Sequence, residues 1–131
     1  MSLDEAQQDV AACHVREREA ARAMDAAGEA LTREMQAAMD LTSGDDAVER
    51  FARWLPHGRT ALQRAQAEHR AATIDLDRSR TVLNLARAGV RSVELAIEAR
   101  SAERSRLDAK KEEQALQDVS AERRMPANEL L

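Results

Sequence analysis

The sequence has almost no aromatic side chains: one phenylalanine, one tryptophan and no tyrosine in 131 residues. Leucine, isoleucine, valine and phenylalanine together number only 23, a level at which a globular core is hard to fill. A compact two-layer domain with a buried substrate pocket is therefore not expected. Cysteine occurs once, at Cys13, which excludes an internal disulfide and fits a reducing compartment.

Motifs that carry chemistry are lacking as well. The four glycines are scattered at positions 28, 44, 58 and 89, so they cannot form a phosphate-binding loop, and no nucleophile elbow is present. Cys13 and His14 are adjacent, but neighbouring side chains on a helix point in different directions, and there is no second cysteine for a metal site. We expect a protein that is not an enzyme and holds no metal or cofactor.

Features of membrane, secreted and nucleic-acid-binding proteins are scarce too. No apolar run of about 18 residues occurs, and the first residues do not combine a basic region with an apolar stretch. The formal net charge is −4, and the basic residues are interleaved with acidic ones rather than clustered with aromatics. These observations predict a cytoplasmic protein with no membrane span and no nucleic-acid partner.

What the sequence has in abundance is a helical composition, because Ala, Glu, Lys, Leu and Arg make up 74 of its residues. In the first arm a seven-residue repeat is apolar at ten of twelve positions, which indicates one face of a coiled-coil helix. Those positions are Leu3, Val10, Glu17, Met24, Leu31 and Ala38, with companions at Ala6, Cys13, Ala20, Ala27, Glu34 and Leu41. Most companions are small, so we expect a partner helix to approach closely.

A second arm repeats more strongly and predicts a helix over residues 59–124. Its seven-residue positions are Leu62, His69, Leu76, Leu83, Val90 and Ile97, with companions at Ala65, Ala72, Ser79, Ala86 and Val93. His69 is most simply a packed polar residue that fixes the register of the two helices. Beyond Ile97 the same frame becomes mostly charged, and Pro126 marks the predicted helix end, followed by a frayed tail over 125–131.

The two arms are separated by two breaks, at residues 42–46 and 56–58. A reversal near Gly44 would exhaust the first arm by about residue 85 and leave the apolar positions from Val90 onward unpaired. We therefore favour a reversal at 56–58, with a short helix after the first break that is capped by Ser43 or Asp45. The predicted fold is all-α: a single domain forming a long antiparallel two-helix coiled-coil hairpin, with a first helix over 1–41. Reversal near Gly44 with dimerisation stays open as an alternative.

The aromatic residues lie three positions apart, in the segment Phe51-Ala52-Arg53-Trp54-Leu55-Pro56. One interpretation is a hydrophobic clasp that closes the end of the hairpin. The other is an anchor for a partner, since tryptophan and arginine are frequent among interface hot spots. Both interpretations can hold at once, and under the second Phe51, Trp54 and Leu55 are candidate partner-binding residues.

Two segments resemble the family of the flagellar export protein FliJ. The first is Phe51-x-x-Trp54-Leu55-Pro56-x-x-Arg59, followed by Leu62-x-x-Ala65. The second runs from Arg100-x-x-Glu103-Arg104 through Lys110-Lys111-Glu112-Glu113-Gln114-Ala115-Leu116-Gln117-Asp118 to Arg123-Arg124. It partly matches the family's R-R-E-Q-K-x-L-D-E ending, with Gln117-Asp118 where an Asp-Glu pair is usual. Type III secretion stalk proteins of the YscO kind are the nearest relatives of that family.

The resemblance implies a hairpin similar to the rotor subunit of rotary ATPases, acting as a non-enzymatic stalk in flagellar protein export. Its implied partners are the hexameric export ATPase (FliI-like), the export gate protein (FlhA-like) and substrate chaperones, which it helps to recycle at the cytoplasmic face of the inner membrane. A monomer is favoured. The charge of the late second helix suits the ATPase ring, and the position of the aromatic segment in the hairpin suits the gate; which end of the rod enters the ring stays open. Candidate residues for the ring are Arg100, Arg104, Arg106, Lys110 and Lys111. The alternatives are a self-associating coiled-coil scaffold and a stalk of a virulence secretion system.

Overall fold

A computed structural model describes residues 1–42 and 44–129, with side chains described as far as Arg123. These residues form two helices, α1 (Leu3–Met39) and α2 (Asp45–Glu129), and the described ranges contain no strand. The chain divides into two compact units, Met1–Arg87 (unit 1) and Ala88–Leu131 (unit 2). In unit 1 the helices pack against each other, which confirms the predicted all-α helical hairpin.

The beginning of α1 is fixed by a capping box. The Ser2 hydroxyl accepts a hydrogen bond from the Glu5 amide at 3.2 Å, and the Glu5 carboxylate accepts one from the Ser2 amide at 3.4 Å. Two amide groups that no helical turn can satisfy thereby find partners. Such a cap contributes about 1 kcal/mol and gives α1 a defined first turn.

The packed face of α1 follows the predicted seven-residue repeat. Ala6 and Cys13 are buried, and the other repeat positions as far as Leu31 are half-buried. On α2 the predicted positions from Leu62 to Ala86 are likewise buried or half-buried, with Ala65, Leu76, Ser79 and Leu83 buried. Periodicity therefore predicts the packed side chains of these stretches, but it fails at the end of α1, where the repeat positions Glu34 and Leu41 are exposed.

A polar pair on this seam sets the register of the two helices. Glu17 Oε1 and His69 Nε2 lie 2.9 Å apart, with side-chain exposures of 22% and 26%. Counting along the antiparallel helices from this pair, we infer that Leu3 lies opposite Leu83, and Leu31 opposite Leu55. The expectation that His69 fixes the register agrees with this geometry, because a slip by one heptad would set both polar groups against apolar side chains.

Layers of large and small side chains alternate along the seam in this register. Counted from that pair, the large layers are Val10 with Leu76 and Met24 with Leu62. The same count sets the small companion positions of α1 opposite equally small residues of α2: Ala6 opposite Ser79, Cys13 opposite Ala72, Ala20 opposite Ala65 and Ala27 opposite Gly58. The Ser79 hydroxyl is buried but donates to the Leu76 carbonyl at 2.8 Å, so it is satisfied. Small layers permit the close approach of the helices that the composition predicts.

The chain reverses between Asp40 and Gly44. The Asp40 carboxylate accepts hydrogen bonds from the Thr42 amide at 3.0 Å and from its hydroxyl at 2.9 Å. Gly44 has φ +74°, in the left-handed region that favours glycine. Asp45 lies at the beginning of α2, whereas Ser43, the other predicted cap, lies outside the described residues.

The predicted turn at residues 56–58 is wrong, because α2 continues through Pro56 and Gly58. Pro56 removes one helical hydrogen bond, the one to the carbonyl of Ala52. Pro56 and Ala52 are both exposed, so water can satisfy that carbonyl. The prediction assumed that all apolar seam positions pair within the chain. Instead α1 covers α2 only as far as Leu83 and Ala86, which corresponds to the alternative reversal near Gly44. At its other end α2 passes Pro126 and reaches Glu129; residues 130 and 131 lie outside the described residues.

A double-mutant cycle tests the polar pair. We expect Glu17→Ala and His69→Ala each to lower the free energy of unfolding by about 1 to 2 kcal/mol, because each substitution leaves the other polar side chain half-buried without its hydrogen-bond partner. The loss of unfolding free energy in the double variant should be about 1 kcal/mol smaller than the sum of the two single losses, as measured by urea denaturation. The exposed pair Asp77–Arg80, whose atoms are 3.9 Å apart, is the control and should show coupling near zero. Additive losses at Glu17 and His69 would contradict the register assignment.

The turn predicts a pH dependence of stability. The hydrogen bonds from the Thr42 amide and hydroxyl hold the pKa of Asp40 below its ordinary range. A lowered folded-state pKa stabilises the fold above the unfolded pKa of about 4, and that contribution is lost as the pH falls through the folded pKa. The wild-type melting temperature should therefore exceed that of Asp40→Asn most above about pH 4, and this difference should shrink at lower pH. A difference that does not change with pH would contradict this role for Asp40.

Candidate interaction surfaces

Phe51, Trp54 and Leu55 form an aromatic cluster on the first turns of α2. The Phe51 and Trp54 rings are stacked, with centroids 6.3 Å apart and an interplanar angle of 29°. All three side chains are half-buried, so each keeps one face towards solvent. The sequence prediction thus names three residues that the helix brings together on one side.

Gly58 completes this cluster as the surface on which the indole lies. A Cβ at Gly58 would stand 2.6 Å from Trp54 Cζ3 and 2.9 Å from Cζ2, closer than carbon atoms approach. Gly58 is buried in the small layer opposite Ala27. The glycine that suggested a turn in the sequence therefore serves a close approach of side chain to backbone within a helix.

The cluster lies beside α1, two turns into α2, and does not cap the end of the hairpin. Phe51 and Ala47 of α2 share a surface groove with Glu34 and Ala38 of α1. The tip itself holds Asp40, Thr42 and Gly44, so the clasp interpretation in its original form, closing a turn at 56–58, does not apply. Whether Trp54 stabilises the hairpin or anchors a partner is answered by the Trp54→Ala variant below.

Unit 2 carries a second surface, which we call the free seam. It continues the seven-residue repeat of α2 and comprises Val90, Val93, Ile97, Arg100, Arg104, Leu107 and Lys111. Every described side chain from Arg87 to Arg123 is exposed; Val90 is 42% exposed, Val93 60% and Ile97 62%. At about 100° per residue these seam positions fall on one side of the helix. The sequence reasoning did not place Val90, Val93 and Ile97 among the site residues, because it paired them with α1.

The structure divides the five predicted ring-binding cations into two groups. Arg100, Arg104 and Lys111 share the free seam, and Lys110 lies about 100° round the helix from Lys111. Arg106 faces away from the seam and donates to the Glu103 carboxylate at 2.6 and 3.2 Å. These bonds raise the pKa of Arg106 and engage its guanidinium within its own helix. Three of the five cations therefore belong to one continuous surface.

The remaining candidate for chemistry is Cys13, which is buried. Arg16 donates to its sulfur at 3.0 Å, and this hydrogen bond raises the pKa of Arg16. Among the described residues no three His, Cys, Asp or Glu side chains are grouped as a metal site would need. Within the same residues, neither helix has a stretch apolar enough to cross a bilayer. No protein-family model, curated protein or solved structure was found to match the chain.

The packing of Trp54 on Gly58 can be tested with alanine. Replacing glycine by alanine inside a helix normally raises the free energy of unfolding by about 1 kcal/mol. We expect Gly58→Ala not to show this increase, because its methyl group displaces the indole. In a Trp54→Ala background the same change should stabilise the hairpin. Emission of Trp54, the single tryptophan, should shift to the red in Gly58→Ala.

Gly28 is the control for this experiment, because a Cβ there meets no atom within 4 Å. Gly28→Ala should stabilise unit 1 by up to about 1 kcal/mol with or without Trp54. An equal effect of Gly58→Ala in both backgrounds would contradict the packing. In the same series, a large loss of stability in Trp54→Ala identifies a structural residue, and spared stability identifies a partner anchor.

Proposed function

We propose that the chain is a non-enzymatic stalk and adaptor of the flagellar type III protein export apparatus. It links the hexameric export ATPase to the export gate, helps to recycle chaperones, and is held at the cytoplasmic face of the inner membrane through these partners. The observation that supports this most directly is the free seam, a coiled-coil surface that α1 leaves uncovered. The resemblance of two segments to the FliJ family supplies the identity of the apparatus.

The ATPase is assigned to unit 2. The family-like segment from Arg100 to Arg123 lies on the part of α2 whose side chains are all exposed. Arg100, Arg104 and Lys111 give one side of this helix a positive charge that suits a polar ring interior. Contacts of this kind steer association and fix orientation, since exposed ion pairs add little to affinity individually.

The gate is assigned to the aromatic cluster of unit 1. Phe51, Trp54 and Leu55 are half-buried and leave part of their apolar surface exposed, and stacking holds the two rings in a defined arrangement. Rigid aromatic side chains lose little entropy on binding, which is a property of interface hot spots. Met39 and Leu41, 74% and 100% exposed near the tip, add further apolar surface on the same unit.

A second function is favoured by one observation, the exposure of Val90, Val93 and Ile97. A self-associating coiled-coil scaffold would bury these side chains between copies. Light scattering separates the two functions, because an adaptor is a monomer at micromolar concentration whereas a scaffold is a stable dimer or larger. A virulence secretion stalk would use the same surfaces with a different ATPase.

Binding to the purified export ATPase tests the proposal. The wild-type chain should bind the hexamer and stimulate ATP hydrolysis. Reversing three seam charges, in Arg100→Glu/Arg104→Glu/Lys111→Glu, should weaken binding at least tenfold and leave the melting temperature unchanged, since these residues are exposed. The matched control is Arg18→Glu/Arg22→Glu on the exposed face of α1, which should bind normally. A folded protein that neither binds nor stimulates the ATPase would overturn the stalk function.

Trp54→Ala provides a separate arm for the gate. It should reduce binding to the purified cytoplasmic part of the gate protein and leave ATPase binding intact, because the cluster and the free seam belong to different units. Loss of both interactions at once would contradict the assignment of one surface to each partner.

A further inference from the structure

The free seam changes its chemistry along its length. Its first positions, Val90, Val93 and Ile97, are apolar, and the next two, Arg100 and Arg104, are cationic. Leu107 and Lys111 then repeat the alternation once more. A helix lying along this seam would need apolar side chains at one end and anionic ones opposite the arginines, because a buried cation without a partner is costly.

A second copy of the chain does not meet this requirement. In a parallel pair Arg100, Arg104 and Lys111 would each face their own counterpart, which places like charges in the seam. In an antiparallel pair that joins Val90 to Ile97, the next layer would need Leu83, which is 7% exposed because α1 already covers it. Neither arrangement provides more than a few apolar layers, so a second copy fits this seam less well than a helix that carries carboxylates opposite the arginines.

Unit 1 shows which kind of helix covers this repeat. There the seam of α2 packs against α1, which holds eight acidic and four basic side chains between Leu3 and Met39. On that seam Glu17 of α1 meets the imidazole of His69 on α2 at 2.9 Å. At the heptad position of His69 the free seam carries Arg104 and Lys111, and Arg100 occupies the companion position.

We propose that the free seam binds an acidic amphipathic helix of another protein. Small or medium apolar residues of that helix lie against Val90, Val93 and Ile97, and its carboxylates pair with Arg100 and Arg104. The inference rests on the proposed function in taking unit 2 as the segment that meets a partner, and it adds the chemistry of that partner. Apolar contact supplies affinity, and charge excludes helices with a basic seam.

Synthetic peptides about four heptads long provide the probe. Each has Leu and Ala at the seam positions of one half and Glu at those of the other, and exchanging the halves covers parallel and antiparallel pairing. A peptide with Lys in place of Glu serves as the reference. Fluorescence anisotropy with the full chain should give a Kd at least tenfold lower for one glutamate peptide than for the lysine peptide, with affinity falling as salt is raised.

Variants assign this binding to the free seam. Val93→Ser/Ile97→Ser and Arg100→Gln/Arg104→Gln should each weaken peptide binding about tenfold, and the second should also reduce the salt dependence. The controls are Leu95→Ser, 48% exposed on the opposite side of the helix, and Arg91→Gln/Arg106→Gln, which removes two cations from other faces. Both controls should bind like the wild-type chain.

Three outcomes would overturn the inference: equal affinity for the two charge types, equal losses in the control variants, or a dimer that Ile97→Ser dissociates. The peptide assay contains no ATPase, so the two proposals fail separately. Peptide binding without ATPase binding would overturn the export function alone. ATPase binding without selective peptide binding would overturn the acidic-helix partner alone.

Discussion

The position of the chain reversal is the constraint on which the rest of the structure depends. Because α1 begins at Leu3 and the chain turns at residues 40–44, α1 can cover the seam of α2 only as far as Leu83 and Ala86. The turn is encoded locally, by the Asp40–Thr42 hydrogen bonds and by the left-handed backbone of Gly44. A few residues of loop thus determine which half of an uninterrupted repeat is core and which half is surface.

Within unit 1 the seam holds the helices close but supplies little specificity by itself. Layers of Ala, Ser, Cys and Gly are nearly interchangeable, so a slip by one heptad would cost little in these layers alone. The Glu17–His69 pair removes this degeneracy, since a slip in either direction sets Glu17 against Leu62 or Leu76. Polar residues on an apolar seam contribute less stability than apolar ones but specify one alignment of the helices, a use known from other coiled coils.

Much of the fold could be predicted from the sequence, and the error has a clear physical origin. Seven-residue periodicity identifies the packed positions of both helices, because side-chain burial follows helical geometry. The turn was misplaced since Pro56 and Gly58 read as a break, although an exposed helix tolerates proline and the glycine accommodates Trp54. The same error moved Val90, Val93 and Ile97 into the predicted core. At the candidate sites the sequence identified the aromatic cluster and the cations, but only coordinates show that Arg106 bonds to Glu103.

The packed core and the exposed surface are consequently encoded in different heptads of one repeat. The positions from Leu62 to Leu83 are satisfied by α1 and set the stability of the hairpin, whereas those from Val90 to Lys111 contribute exposed surface. An exposed apolar stripe without charge would invite self-association, and the arginines that follow Ile97 oppose that outcome in a parallel pair. The sequence feature that looks like a fading coiled coil, apolar heptads giving way to cations, is therefore the feature from which the proposed selectivity follows, because cations on the seam oppose a parallel second copy and suit an acidic helix.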